Sequence, residues 1–173
     1  MTSFVFRGLL LLAVAGALAG CAGYRLGNVS GRTLQGVHNV YVPTVRNASL
    51  EADIQMVTTN AIIRRFESDG TLETSQNPQA DSELDVVITD VQLQPLRSSS
   101  NDVLLTAQYQ LTIEGRATYV NRRLGRKVFD NTPVQGVTTF FAQADLNEAE
   151  RQALPLACQD FANQTVQLVT EGW

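Results

Sequence analysis

A single histidine, His38, stands in the 173-residue chain, so neither a His-based zinc site nor a two-imidazole proton relay can be built from it. Cysteine is almost as scarce. Cys21 and Cys158 are the only two, too few for a disulfide framework. There is no Gly-rich phosphate loop, no G-x-S-x-G elbow and no paired-Cys motif. Carboxylates such as Asp85, Asp90 and Glu114 are scattered along alternating stretches, where a solvated face accounts for them. No catalytic residue and no metal ligand is singled out, and the chain is read as a non-enzyme. A long hydrophobic run is missing as well: GLLLLAVAGALA, Gly8 to Ala19, falls short of the ~20 apolar residues a permanent membrane span needs. Nor is there an excess of positive charge. The formal net charge is −4, and phosphate-backbone binding needs clustered cations, so nucleic acid is excluded as a partner.

The start of the chain has a layout of its own. Arg7, the apolar run and the small residues behind it form the three parts of a secretory signal over residues 1–20. Leu18-Ala19-Gly20-Cys21 resembles the lipobox of bacterial lipoproteins, in which the thiol receives a diacylglyceryl group, the signal is cut before the Cys and the new amine is acylated. At roughly 0.8 kcal/mol per buried methylene, three chains on one residue make a permanent tether. Ala22 follows in place of the Asp that commonly retains such proteins in the inner membrane, so the expected address is the outer membrane, facing the periplasm. The other reading is an ordinary signal with an incidental Cys. The cysteine count favours the lipid, because a Cys21–Cys158 disulfide would compete with acylation. Beyond that covalent lipid no cofactor is expected.

Residues 21–36, rich in Gly, Ser and Asn, read as a tether, and residues 37–173 as one domain. Val37–Pro43 is a first strand. Leu50, Ile54, Val57, Ala61, Ile62 and Phe66 share one helix face, with Asn47 or Ser49 as N-cap, Gly70 as stop, and Arg64 and Arg65 favouring the C-terminal dipole. Thr71–Thr74 is a short strand and Glu83–Leu93 a longer one. In the latter, Leu84, Val86 and Ile88 alternate before the apolar phase moves to Val91 and Leu93, so a bulge is expected near Thr89 and Asp90. Pro95 and Ser98–Asp102 mark a turn.

Leu105–Tyr119 alternates most cleanly, with Leu105, Ala107, Tyr109, Leu111, Ile113, Ala117 and Tyr119 on one face and Gln, Thr, Glu and Arg on the other. It would extend about 45 Å if continuous. NRRLGR, Asn121–Arg126, turns it back into Lys127–Phe141, with Pro133 as an interruption. Asp145 with Glu148 opens a second helix as an acidic capping box. Its expected inner face is Ala149, Ala153, Leu156, Ala157, Phe161 and Leu168, with Cys158 a small buried hydrophobe. Pro155 is expected to divide that helix into two pieces. The resulting fold class is α+β, two amphipathic helices on one face of a mostly antiparallel four- to five-stranded sheet.

Against the acidic background, five cations concentrate around the long hairpin's tip: Arg116, Arg122, Arg123, Arg126 and Lys127. Guanidinium forks pair with phosphate oxygens, so the group could clamp an anionic lipid. A solvated tip that keeps the hairpin from edge pairing is the alternative.

The order of parts behind the lipobox resembles LptE, the LPS-assembly lipoprotein family. The residues that carry the resemblance are Cys21-Ala22-Gly23-Tyr24-Arg25-Leu26, Val40-Tyr41-Val42-Pro43 with Asn47, Ala80-Asp81 before the Leu84 strand, the long hairpin, and a closing Ala-rich helix near Trp173. It implies a domain tethered to the outer membrane's inner leaflet, which plugs the LptD β-barrel, assists its assembly and helps deliver lipopolysaccharide. The five cations are then candidate lipopolysaccharide phosphate contacts. A polar Gln and Thr face would suit a barrel interior. A tethered lipid carrier working without a barrel is the rival reading, and it requires an internal apolar cavity.

Overall fold

The computed structural model describes residues 34–97, 107–142 and 145–171. The expected signal, Cys21 and the Ser98–Asp102 turn lie outside the described residues. The elements are β1 (Asn39–Tyr41), β2 (Arg46–Asn47), α1 (Ile54–Asp69), β3 (Glu73–Ser75), β4 (Ser82–Arg97), β5 (Ala107–Asn121), β6 (Arg126–Ala142) and α2 (Leu146–Glu171). Leu34 and Val37 are already buried in the core, so packing begins upstream of β1.

The strands form one sheet in the order β3-β1-β4-β5-β6, with β2 beside β4. β4, β5 and β6 are antiparallel, but β1 runs parallel to β3 and β4, and β2 parallel to β4. The sheet is therefore mixed and six-stranded, a correction to the mostly antiparallel four- to five-stranded expectation. The cause is connectivity. A helical crossover such as α1 returns the chain in the same direction, whereas hairpins reverse it, and a two-residue strand such as β2 is too short to show a period.

Between Ile88 and Asp90 the β4–β5 register shifts by one residue, the expected bulge. It lets Leu84, Val86 and Ile88 and then Val91 and Leu93 face the same side despite the phase change. β4 continues to Arg97, so Pro95 lies within the strand and does not mark the turn. Among the described residues no strand pairs with β4 beyond Ile88 on the β2 side, and an edge tolerates a residue without an N–H. Pro133 pairs with Arg116 inside β6 without interrupting it, again on an edge strand.

Both helices lie on the sheet face that carries Leu111, Ile113, Ala117 and Tyr119, all fully buried. The opposite face carries Glu114 and Arg116 in solvent. Thr112, expected on that polar face, is 5% exposed, because Gln92 and Val137 flank it on the neighbouring strands.

α1 buries Ile54, Ala61, Ile62 and Phe66 and stops at Gly70, whose left-handed φ of 72° and N–H donation to the Phe66 carbonyl end the helix. Its start departs from expectation. Asn47 accepts the Ser49 N–H at 2.9 Å and donates to the Glu51 carbonyl. That local turn competes with helix formation, so α1 begins at Ile54 and Leu50 is left fully exposed. Arg64 and Arg65 fall short of its last turn, which has no basic residue.

α2 is one continuous helix, not two pieces. Pro155 is exposed, so the hydrogen bond it cannot make is lost on the solvent side, where a helix can bend gently away from the core. Asp145 caps α2, its Oδ1 accepting the Glu148 N–H at 3.1 Å. Leu156 also lies on the outer side, 52% exposed, while Cys158, Phe161, Ala162, Thr165, Val166 and Val169 are buried. Thr58 of α1 donates to Cys158 Sγ at 3.4 Å, and burial pushes the thiol pKa up.

Candidate functional site

The β5–β6 turn is built from Arg122 to Gly125. Buried Asn121 accepts the Leu124 N–H through Oδ1 at 3.0 Å. Gly125 (φ 62°) donates its N–H to the Arg122 carbonyl at 3.2 Å. A left-handed residue at this position is what a tight hairpin connection demands. The apex residue is then Leu124, 42% exposed.

The structure divides the five predicted cations into three groups. Arg122 and Arg123 staple the turn to the chain leading into β4. The Arg122 N–H donates to the Asp81 carbonyl at 2.9 Å, its guanidinium pairs with Glu83 at 2.6 Å, and Arg123 Nε pairs with Asp81 Oδ1 at 2.7 Å. Asp81 Oδ2 also accepts the His38 N–H at 3.0 Å, and the Asp81 N–H donates to Asn39 Oδ1 at 2.7 Å. The His38 N–H and then Arg123 hold the Asp81 carboxyl below its ordinary pKa. With its side chain only 12% exposed, Asp81 depends on these donors, because an unpaired carboxylate there would be costly.

Arg116 lies five residues along β5 from Asn121, about 17 Å at 3.3 Å per residue. Its Nη1 donates to the Asn131 carbonyl at 3.2 Å. Asn131 is a left-handed residue (φ 51°) where the β5–β6 register shifts, so Arg116 braces a bulge and is not brought to the tip.

Arg126 and Lys127 remain. Lys127 pairs with Asp130 at 2.9 Å, both side chains 56% exposed, and such a pair contributes about 0–1 kcal/mol. The Lys127 contact, followed by Thr118, lowers the Asp130 pKa. Arg126 has no carboxylate partner among the described residues. Arg126 is thus open to an external anion, and Lys127, on the neighbouring position of the strand, becomes so if it gives up its exposed partner Asp130.

Sequence reasoning missed Asp81 as a hub, since its partners His38 and Arg123 are 43 and 42 residues away. Leu124 is visible as an apolar residue inside NRRLGR, but the pattern there predicts a turn with a basic tip and assigns the leucine no part. Cys21 lies outside the described residues. The described residues include no cluster of His, Cys, Asp or Glu suited to a metal, and no helix long and apolar enough to cross a membrane. Two surface depressions of about 300 Å³ are lined by mixed groups, Glu51, Asp145 and Leu154 in one and Tyr41, Ile63 and Glu67 in the other. Neither is the closed apolar chamber a free lipid carrier needs.

Two helices on one face of a mixed sheet, joined to a long antiparallel hairpin, define an α+β domain. The sequence matches the family model LptE, lipopolysaccharide-assembly, over residues 37–168, and the chain belongs to this family. It is accordingly a lipopolysaccharide-assembly lipoprotein. No curated protein matches the chain. Among solved structures it is similar to rare lipoprotein B from Shewanella oneidensis (11% identity, 76% of this chain and 91% of that one, TM-score 0.44). It is also similar to lipoprotein B from Nitrosomonas europaea (13%, 78% and 83%, 0.46). A structure described as a neuraminyllactose-binding hemagglutinin homolog from Helicobacter pylori (12%, 77% and 86%, 0.50) shares the fold.

Proposed function

We propose that this protein is the outer-membrane lipoprotein subunit of a lipopolysaccharide transport and assembly complex. Residues 1–20 are its signal, Cys21 carries the lipid, and the domain behind the tether plugs an LptD-like β-barrel, helps assemble it and binds lipopolysaccharide. The observation that carries this reading is the family match over 37–168. The polar outer face of β4–β6, with Gln92, Gln94, Gln110 and Glu114 in register, supports it, since such a face suits a hydrated barrel interior. Tethering raises the effective concentration at the barrel, so modest contacts suffice. Detergent extraction at native expression is expected to co-purify the chain with a large outer-membrane barrel protein. Recovery as a free monomer would sink the proposal.

Arg116, Arg122, Arg123, Arg126 and Lys127 remain the candidate lipopolysaccharide phosphate contacts, with unequal claims. Reversing Arg122 or Arg123 would strip a partner from Glu83 or Asp81 and confuse folding with binding. Arg126→Glu with Lys127→Glu is the cleaner test, and unchanged lipopolysaccharide binding would return the tip to a solvated role.

A further inference from the structure

We infer that, in the tethered chain before it is seated in a barrel, the β5–β6 turn is a lipid-interface contact in which Leu124 enters the headgroup region while Arg126 and Lys127 hold phosphates of the anionic phospholipid leaflet that carries the anchor. The inference rests on the reading that Cys21 is lipidated.

Three observations converge on the turn. The first is chemical: a 42% exposed leucine sits at the apex of a tight turn, with cations on either side of the strand directly behind it. An apolar tip with long basic side chains that reach back to phosphate is how an interfacial element partitions.

The second is mechanical. The Asn121 and Gly125 hydrogen bonds and the Arg122 and Arg123 staples hold the turn in one shape. Little ordering is then left to oppose insertion.

The third is directional. The described chain begins at Leu34, and the Leu34–Asn39 segment joins the tip through Asp81, which takes the His38 N–H and the Arg123 guanidinium on one carboxyl group. Cys21 lies 13 residues upstream of Leu34, and His38 and Asn39, which follow Leu34, are hydrogen-bonded to Asp81 at the tip's end of the hairpin. Thirteen residues span at most about 45 Å, so a membrane that holds Cys21 is within reach of this end of the domain. The charge sign agrees, because Arg126 is uncompensated and the exposed Lys127–Asp130 pair can exchange for a lipid phosphate at little cost.

The test uses the full-length lipidated protein carrying Trp173→Phe, which removes its only tryptophan, and Leu124→Trp. It is reconstituted into phosphatidylethanolamine and phosphatidylglycerol vesicles with brominated acyl chains, without lipopolysaccharide. The indole at position 124 is expected to be quenched. Adding Arg126→Glu and Lys127→Glu should lower the docked-to-free ratio by roughly fivefold per cation removed, with the circular dichroism unchanged. Phosphatidylcholine vesicles should behave like the charge-reversed variant. Protein that floats with the vesicles but is not quenched overturns the inference, as does quenching indifferent to charge reversal. Quenching only when lipopolysaccharide is present also overturns it and assigns the tip to that ligand. A chain that fails to float shows that the anchor is missing and contradicts the premise, a result distinct from failure of the tip.

Discussion

The centre of the sheet and the hairpin tip are held by opposite means. At the centre, α2 approaches the strands so closely that a Cβ on Gly136 would lie 2.5 Å from the Ala157 carbonyl and the Phe161 nitrogen, and one on Gly115 would lie 2.8 Å from the Phe161 ring. Phe161 fills the space those two glycines leave. Rigid shape decides that contact. At the tip, charge and hydrogen bonding decide, through Asp81, Glu83, Arg122 and Arg123. A region sealed by shape tolerates no change of volume, whereas one stapled by charge tolerates new volume but not loss of a partner.

The comparison is tested most severely at the centre. Phe161→Ala is expected to cost about 4 kcal/mol from lost burial and the cavity left behind. Gly136→Ala is expected to cost about 3 kcal/mol, because backbone atoms of α2 must move and no flexible side-chain end can yield. Urea midpoints measure both, and a cost below about 1 kcal/mol for Gly136→Ala would show that the helix can ride outward.

At the staple, Asp81→Asn should cost about 2 kcal/mol near neutrality, since a partly buried set of donors loses its charged acceptor. The pH dependence carries the sign. Asp81's folded pKa is depressed, so its contribution is fully present above its unfolded value of about 3.9 and is lost as pH falls through the lower folded value. Wild type and variant should therefore converge in stability as pH falls from about 4 through the depressed folded value. A difference that stays constant would remove the charge from the account.

The smallest effect belongs to the exposed cations. Arg126→Glu with Lys127→Glu should change stability by about 0.5 kcal/mol or less, so that any loss of lipid binding is a loss of contact and not of fold. A large drop in thermal midpoint would mean the two residues also brace the hairpin.

Much of the framework is legible residue by residue. Alternation from Leu111 to Tyr119 identified the inner face of β5, the slip from Ile88 to Val91 located the bulge, and Gly70 and Asp145 marked a helix end and a helix start. These signals are local, because capping and pleating depend on neighbours a few positions apart. Leu50 shows where local reading fails: it is in phase with α1, yet the Asn47–Ser49 turn delays the helix. The candidate site was legible as a cluster of five cations but not as a division of labour, because a side chain's availability depends on which carboxylates the fold brings to it.

The sequence by itself determined the family and its order of parts, the faces of β5 and the places where elements stop, all encoded in short-range pattern. Tertiary structure alone decided that the sheet is mixed, that Gly115 and Gly136 admit Phe161, and that Arg122 and Arg123 are committed to Glu83 and Asp81 while Arg126 remains open and Lys127 holds only its exposed partner Asp130. The physical reason is separation. Parallel pairing, close backbone approach and charge pairing join residues 25 to 46 positions apart, and no local periodicity records which distant partner a residue will meet.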